Sequence, residues 1–283
     1  MELTVKLLSF TADGKEWFGA VSGDGVITLN ERVGQPNLRA ALVAGAMAAM
    51  RKAAADAKPD RKLVEIKFLP VIPQPAKILC AGINYRSHAV ETGRALPKQP
   101  SMFIRFADTL VGHDGALIRP KVSDNFDFEG ELAVIIGKGG RHIAAERALD
   151  HVAGYTCFVD GSVRDYQAFS VTSGKNFPGS GPLGPWLVTT DDIPDPSRLT
   201  LTTRLNGTQV QHATTDQLIY SIPQIIAFCS DFTALHPGDV IATGTPEGVG
   251  HSRKPPLWMK PGDVLEVEIS RIGTLRAHIV DEK

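Results

Sequence analysis

The sequence predicts a strand-dominated α+β protein, with a small N-terminal α/β domain over residues 1–72 and a larger strand-rich domain over 73–283. Three observations carry this. Short apolar runs stopped by Gly or Pro recur through most of the chain, the pattern of buried strands rather than of independent helices. One long stretch, 37–57, is rich in Ala and Leu, as helices are. Between the two parts, FLPVIPQPAK at 68–77 places Pro70, Pro73 and Pro75 close together, a composition that stiffens a connector and excludes regular structure.

The elements follow in order. Asp13-Gly14 and Asp24-Gly25 are dipeptides that suit the left-handed backbone of hairpin turns, so KLLSF, WFGAV and VITLN read as antiparallel strands. Residues 37–57, NLRAALVAGAMAAMRKAAADA, read as one helix that opens on Asn37 as its cap and stops before Pro59. Past the proline connector, KILCAG, MFIRF, ELAVIIG, GYTCFV, DVIATG and DVLEVEI read as short strands, and Asn206-Gly207 marks a further hairpin. DQLIYSIPQIIAFCSDF, 216–232, is the best helical candidate in this part, with Pro223 acceptable only near a first turn. Pro-Gly-Asp-Val occurs at 237–240 and again at 261–264, as turn chemistry ahead of a strand and not as a repeat unit.

Composition narrows the function class. Of 283 residues, 43% are hydrophobic and 22% charged, as expected of a globular chain with a substantial core, and the formal net charge of −1 gives no reason to expect nucleic acid or an anionic membrane as partner. Cys80, Cys157 and Cys229 have the spacing of neither a disulfide framework nor a zinc site, which fits a reducing compartment. The start MELTVKLLSF lacks the basic opening and apolar stretch of a secretory signal, and no segment approaches the roughly 20 apolar residues of a membrane span. A cytoplasmic location is the expectation.

The segment NFDFEGELAVIIGK, 125–138, poses the chemical question. Asp127, Glu129 and Glu131 recur at every second position directly before the apolar run 132–136, and on a strand that continued backwards all three would share one face. Three like charges there need either water or a cation. GYTCFV ends at Asp160, a third candidate oxygen donor beside Glu129 and Glu131. Carboxylates without a nearby His or Cys suit a hard dication such as Mg²⁺, Mn²⁺ or Ca²⁺ better than Zn²⁺. The alternative is a solvated edge strand and an Asp160 that merely starts a turn.

Other segments offer weaker signals. His88 and Glu91, three apart in GINYRSHAVETG, would share a helix face, where a carboxylate orients an imidazole and raises its basicity; an inconsequential surface pair has the same spacing. Lys175, in the Gly- and Pro-dense TSGKNFPGSGPLGPW, reads either as a cation over an anionic ligand or as an exposed loop lysine. ATGTPEGVG, 242–250, offers hydroxyls and free amides to a carboxylate or oxyanion, but it lacks the Gly-Lys-Ser/Thr ending of a phosphate loop. GKGGRH is no dinucleotide fingerprint, and Cys80 inside an apolar strand reads as a small buried hydrophobe.

Together and in order, GINYRSHAVE, FDFEGELAVIIGK, FVDGSVRDYQ, GKNFPGSGPLGP, LNGTQVQ and PGDVIATGTPEGVG resemble the fumarylacetoacetate hydrolase family, in particular its bacterial acylpyruvate hydrolase and 2-hydroxyhepta-2,4-diene-1,7-dioate isomerase-like branch. The resemblance runs from about the proline connector to the C-terminus, and the segment ahead of it resembles the small leading domain of many bacterial members. It implies a mixed β-sandwich roll with a metal in its mouth, assembled as a homodimer. It also implies Glu129, Glu131 and Asp160 as ligands of Mg²⁺ or Mn²⁺, with Ca²⁺ as a non-native occupant, and Lys175 as the active-site lysine. His88 and Glu91 match a pair carried on a mobile lid that activates water. Gln167, Gly244 and Thr245 match substrate-contacting positions, and Tyr85 and Arg105 are further candidates for the substrate pocket, Arg105 standing where many relatives carry lysine. Asp127 has no metal role in that pattern and reads as an outer-shell or solvated residue.

The implied substrate is a small 2-oxo acid with a β-carbonyl. The implied activity is hydrolysis of the carbon–carbon bond of an acylpyruvate-type 2,4-dioxo acid, fumarylpyruvate-like, to pyruvate and a carboxylic acid, in the breakdown of aromatic compounds or sugar acids. A dication and Lys175 would stabilise the enolate charge, and His88 would deliver water. Oxaloacetate decarboxylation or diene-dioate isomerisation needs the same electron sink without an attacking water, so the motifs define the reaction class more firmly than the reaction.

Overall fold

The computed structural model describes residues 5–283. Two sheets form a mixed sandwich. The larger has twelve strands: ten run in the order Arg61–Lys62, Gly25–Thr28, Lys15–Ser22, Lys6–Ala12, Gly181–Thr189, Val152–Val159, Gly130–Ile136, Val240–Ala242, Ile78–Gly82 and Ser101–Arg105, with Lys67–Phe68 pairing Lys6–Ala12 and Leu110–Val111 pairing Gly181–Thr189 off that path. The smaller has five strands, in the order Thr208–Thr214, Thr200–Leu205, Val264–Ile269, Gly273–Asp281 and Gly115–Arg119. No helix among the described residues is long and apolar enough to cross a membrane.

The centre of the large sheet is Gly130–Ile136, buried at every position. Its alternation feeds two cores. Leu132, Val134 and Ile136 pack with Leu201, Leu265, Val267 and Leu275 of the small sheet, whereas Ala133 and Ile135 face the other way, toward Phe18, Leu38, Leu42 and Met50 of the N-terminal segment. This explains why the run reads as continuously apolar, since both faces are covered. The N-terminal strands join the same sheet through Lys6↔Val188 and Leu7↔Leu187, so hydrogen bonding continues across the proline connector.

Several local expectations need correction. Residues 37–57 form two helices, Leu38–Val43 and Met47–Asp56. Asn37 does cap the first, accepting from Ala40 N at 2.8 Å, but Gly45 adopts φ +66° and the bonds Ala46 N→Ala41 O and Gly45 N→Leu42 O close a helix end there. The helix expected at 216–232 is Ile222–Phe232, with Ser221 and Gln224 forming a capping box and Pro223 in the first turn; residues 216–221 are not part of it. The second N-terminal hairpin turns on Gly23-Asp24 rather than Asp24-Gly25, because Ser22 pairs with Gly25. Gly181–Thr189, whose glycines and prolines suggest irregular backbone, is a strand of the large sheet.

Candidate active site

Register assembles the acidic cluster. Glu131 lies on the strand face shared with Ala133 and Ile135, and Gly130 pairs with Val159 on the neighbouring strand. The ladder ends with Asp160 N donating to Glu129 O at 2.9 Å, so Asp160 emerges beside Glu129 although 31 positions separate them in the chain. One carboxylate oxygen each from Glu129, Glu131 and Asp160 lies within 4.8 Å of the others, and all three residues are buried. The solvated-edge alternative is thereby excluded.

Three basic residues hold this cluster. Lys175, at the end of the helix Val171–Lys175, donates to Glu129 Oε2 and Asp160 Oδ2 at 2.6 Å each. Arg164 Nη2 donates to Glu129 Oε1 at 2.7 Å, its Nε to Asp127 Oδ2 at 2.8 Å, and its Nη1 to Gln167 Oε1 at 2.7 Å. Arg105 Nη1 donates to Asp160 Oδ1 at 2.6 Å and to Gly161 O at 3.1 Å, while Nη2 donates to Ser180 Oγ at 2.6 Å. Burial works against the charge of Glu129, but Lys175 and Arg164 outweigh it and hold that carboxyl down at about 2. Lys175 is likewise penalised by burial, yet Asp160 and Glu129 keep its ammonium above the usual range. Glu131 is pushed well up, first by burial and then by Asp160 and Glu129.

Four carboxylates, Asp127, Glu129, Glu131 and Asp160, are thus faced by three cations, which leaves Glu131 as the one without a cationic partner. A donor set of buried carboxylate oxygens without sulfur or imidazole suits a hard dication, and a dication would remove the repulsion that raises Glu131. The residues therefore fit the metal group expected of them.

Above the cluster opens a cavity of about 890 Å³ lined by, among others, His88, Glu91, Gln167, Lys175 and Thr245. His88 and Glu91 sit on the helix Arg86–Glu91, and His88 Nδ1 lies 3.2 Å from Glu91 Oε2. A carboxylate can only accept, so Nδ1 carries the proton and Nε2 presents its lone pair. The glycine-rich loop closes one side. Gly244 takes φ +101°, and a Cβ there would meet the Cβ of Asn84 at 2.8 Å; this backbone lets its N–H donate to Glu131 Oε2 at 2.9 Å. Thr245 Oγ1 donates to Gly130 O at 3.0 Å while lining the cavity.

Three expected substrate contacts, Arg105, Tyr85 and Gly244, lie outside the cavity lining. Arg105 is outside the cavity lining, with a fully buried side chain wrapped behind Asp160. Tyr85 is fully buried at the base of the His88 helix and also outside the lining. Gly244 acts on Glu131 instead of on the cavity. Asp127 is not solvated: Oδ1 accepts Gly250 N at 2.7 Å and Oδ2 accepts His251 N at 3.0 Å, so it anchors the loop as well as Arg164. Arg164 escaped the sequence reading although it stands three before Gln167 in FVDGSVRDYQ; an arginine that close to a candidate contact, following a candidate ligand, is the signal that was there to use.

The model of the fumarylacetoacetate (FAA) hydrolase C-terminal family matches residues 77–280. The chain belongs to the fumarylacetoacetate hydrolase family. Within it, the Bos taurus protein named oxaloacetate tautomerase FAHD2A, mitochondrial, is 39% identical over 269 residues, covering 92% of this chain and 85% of that one. The solved fumarylacetoacetate hydrolase from psychrophilic Exiguobacterium antarcticum superposes with a TM-score of 0.84 at 31% identity, covering 99% of this chain and 100% of that one. A maleylpyruvate hydrolase from Sphingobium sp. SYK-6, solved with manganese(II) and pyruvate, gives a TM-score of 0.82 at 28% identity over 98% of this chain and 100% of that one. Members of the family are enzymes that include hydrolases, isomerases and tautomerases, and this chain shares their fold.

Proposed function

We propose that this fumarylacetoacetate hydrolase family member is a divalent-metal-dependent enzyme that hydrolyses the carbon–carbon bond of an acylpyruvate-type 2,4-dioxo acid through a pyruvate enolate. The observation that carries the reading is that one cavity joins a buried carboxylate triad to an imidazole oriented by a carboxylate. Glu129, Glu131 and Asp160 would hold Mg²⁺ or Mn²⁺, which when bound would supply Lewis acidity toward the 2-oxo acid head of the substrate. Lys175, buried beside Glu129 and Asp160, holds a permanent positive charge close to where the enolate oxygen develops. His88 Nε2 takes a proton from water as that water attacks the distal carbonyl, and Glu91 keeps the resulting imidazolium in place. The bond between that carbonyl carbon and C3 then breaks, its electron pair passes to the enolate, and C3 is protonated to give pyruvate. Thr245 and Gln167, both on the cavity wall, orient the substrate head.

A second reading is keto–enol tautomerisation of oxaloacetate, favoured by the relative of that name at 39% identity over 92% of the chain. It needs a proton moved between C3 and the 2-oxo oxygen, for which His88 suffices, and no attacking water. The experiment is to supply fumarylpyruvate, acetylpyruvate and enolic oxaloacetate with Mg²⁺ or Mn²⁺, following pyruvate release and loss of enol absorbance in parallel. Pyruvate release that stops with chelator and in His88→Ala supports hydrolysis. Enol decay without pyruvate selects tautomerisation, and turnover indifferent to chelator defeats the metal assignment in both.

A further inference from the structure

Five residues lining the cavity can carry positive charge: His88, Arg94, Arg164, Lys175 and His251. Three are committed. Arg164 and Lys175 are neutralised by the carboxylates at the floor, and His88 is held by Glu91. The acidic side chains of the lining, Glu91, Glu129 and Glu131, are engaged in the same contacts or by Gly244. Arg94 and His251 differ: both are exposed, and neither side chain has a hydrogen-bond or ion-pair partner among the described residues.

Both are presented from fixed backbone. Past the His88 helix, Gly93 takes φ +65° and the bonds Gly93 N→Val90 O and Arg94 N→Ala89 O close its end, so the position of Arg94 is set by the helix cap. His251 follows Gly250, and the N–H groups of both are held by the buried Asp127 at 3.0 and 2.7 Å respectively. Gly250 also accepts from Leu257 N at 2.9 Å, and the His251 ring lies 5.8 Å from that of Trp258. The donors at the floor are thus already taken up by the carboxylate cluster, and Arg94 and His251 are left as the unpaired cationic donors of the same cavity wall.

We propose that Arg94 and His251 are the specificity determinants for the far end of the substrate, and that they select 2-oxo acids ending in a second carboxylate over those ending in an alkyl group. A carboxylate accepts charge-assisted bonds from a guanidinium and from a ring N–H, whereas an alkyl tail would leave both donors without a partner. The inference rests on the 2-oxo acid reading of the site.

The test uses two unreactive ligands of equal length, 2-oxoglutarate and 2-oxopentanoate, titrated calorimetrically into the Mn²⁺-loaded protein and into Arg94→Met, His251→Leu and the double variant. In the parent protein 2-oxoglutarate should bind about 10-fold or more tighter, a preference expected for charge-assisted contacts. The double variant should bring the two affinities within about twofold of one another, with each single variant between. Equal affinities in the parent protein, or a preference that survives the double substitution, overturn the proposal while leaving the 2-oxo acid reading intact. Failure of both ligands to bind the parent protein overturns that reading, and the proposal with it.

Discussion

Glu91 Oε1 accepts the backbone N–H of Gly248 at 2.8 Å, so the carboxylate that orients His88 through its other oxygen also ties the His88 helix to the glycine-rich loop. Glutamine can separate the two duties. In Glu91→Gln the amide oxygen still accepts from Gly248, but the NH₂ then faces His88 Nδ1 and donates, which moves the imidazole proton to Nε2 and removes the basic lone pair. Turnover should fall about 10²-fold or more, the scale of a positioned base. Tryptic cleavage at Arg86 and Arg94 should stay slow in this variant and accelerate in Glu91→Ala, which loses the tie as well. Equal cleavage rates in both variants would show that the Gly248 contact does not hold the helix.

Glu131 is the carboxylate that burial, Asp160 and Glu129 push up. Glu131→Gln keeps an oxygen for the Gly244 N–H and removes the carboxyl whose ionisation burial, Asp160 and Glu129 oppose. Its metal-free melting temperature should therefore equal or exceed that of the parent protein, whereas the rise caused by Mn²⁺ should disappear. Mass-action stabilisation of about 2.7 kcal/mol is expected for the parent at a Mn²⁺ concentration about 100-fold above its Kd. Differential scanning calorimetry with and without Mn²⁺ reads both effects.

Arg105 is expected to act on stability rather than on substrate. Its side chain is fully buried against an equally buried Asp160, and removing one partner of such a pair costs about 3–5 kcal/mol. Arg105→Met should lower the unfolding free energy, measured by urea titration, by that order. Arg105→Lys retains one charged contact to Asp160 but loses the second donor that reaches Ser180 Oγ, and should fall between. A methionine variant as stable as the parent would show that the pair contributes little.

His113 links stability to pH. Its Nδ1 accepts Arg276 N at 3.1 Å, which requires the neutral ring, and burial lowers its pKa against the opposing pull of Asp114. Because the folded pKa is depressed, the unfolded chain binds a proton more readily, so the contribution is present above the ordinary histidine range and is lost as pH falls through the folded value. The drop in urea midpoint between about pH 7.5 and 5.5 should be smaller in His113→Gln than in the parent. An unchanged drop would assign the pH dependence to other groups.

The Glu129–Glu131 pair and the His88–Glu91 pair were legible in the chain because each depends on short spacing. Alternation placed Glu129 and Glu131 on one side, and a separation of three placed His88 against Glu91 on a helix. The helix break at Gly45 was also local, but an isolated glycine in an Ala-rich run has the same appearance whether it is tolerated or terminates the helix. The strand Gly181–Thr189 was hidden because its glycines and prolines oppose strand formation locally, and tertiary pairing with Val152–Val159 and Lys6–Ala12 overrides them.

By itself, then, the order of residues established the strand-rich class, the alternating faces of the central strand and the residue types able to hold a hard dication. Tertiary structure decided that Asp160 arrives beside Glu129, that Asp127 anchors Arg164 and the glycine-rich loop, and that Arg105 stands behind Asp160 instead of in the cavity. The division has a physical cause. Side-chain alternation follows from each strand's own backbone, whereas which carboxylate meets which cation depends on register between strands whose pairing is set by burial on both faces of the sheet.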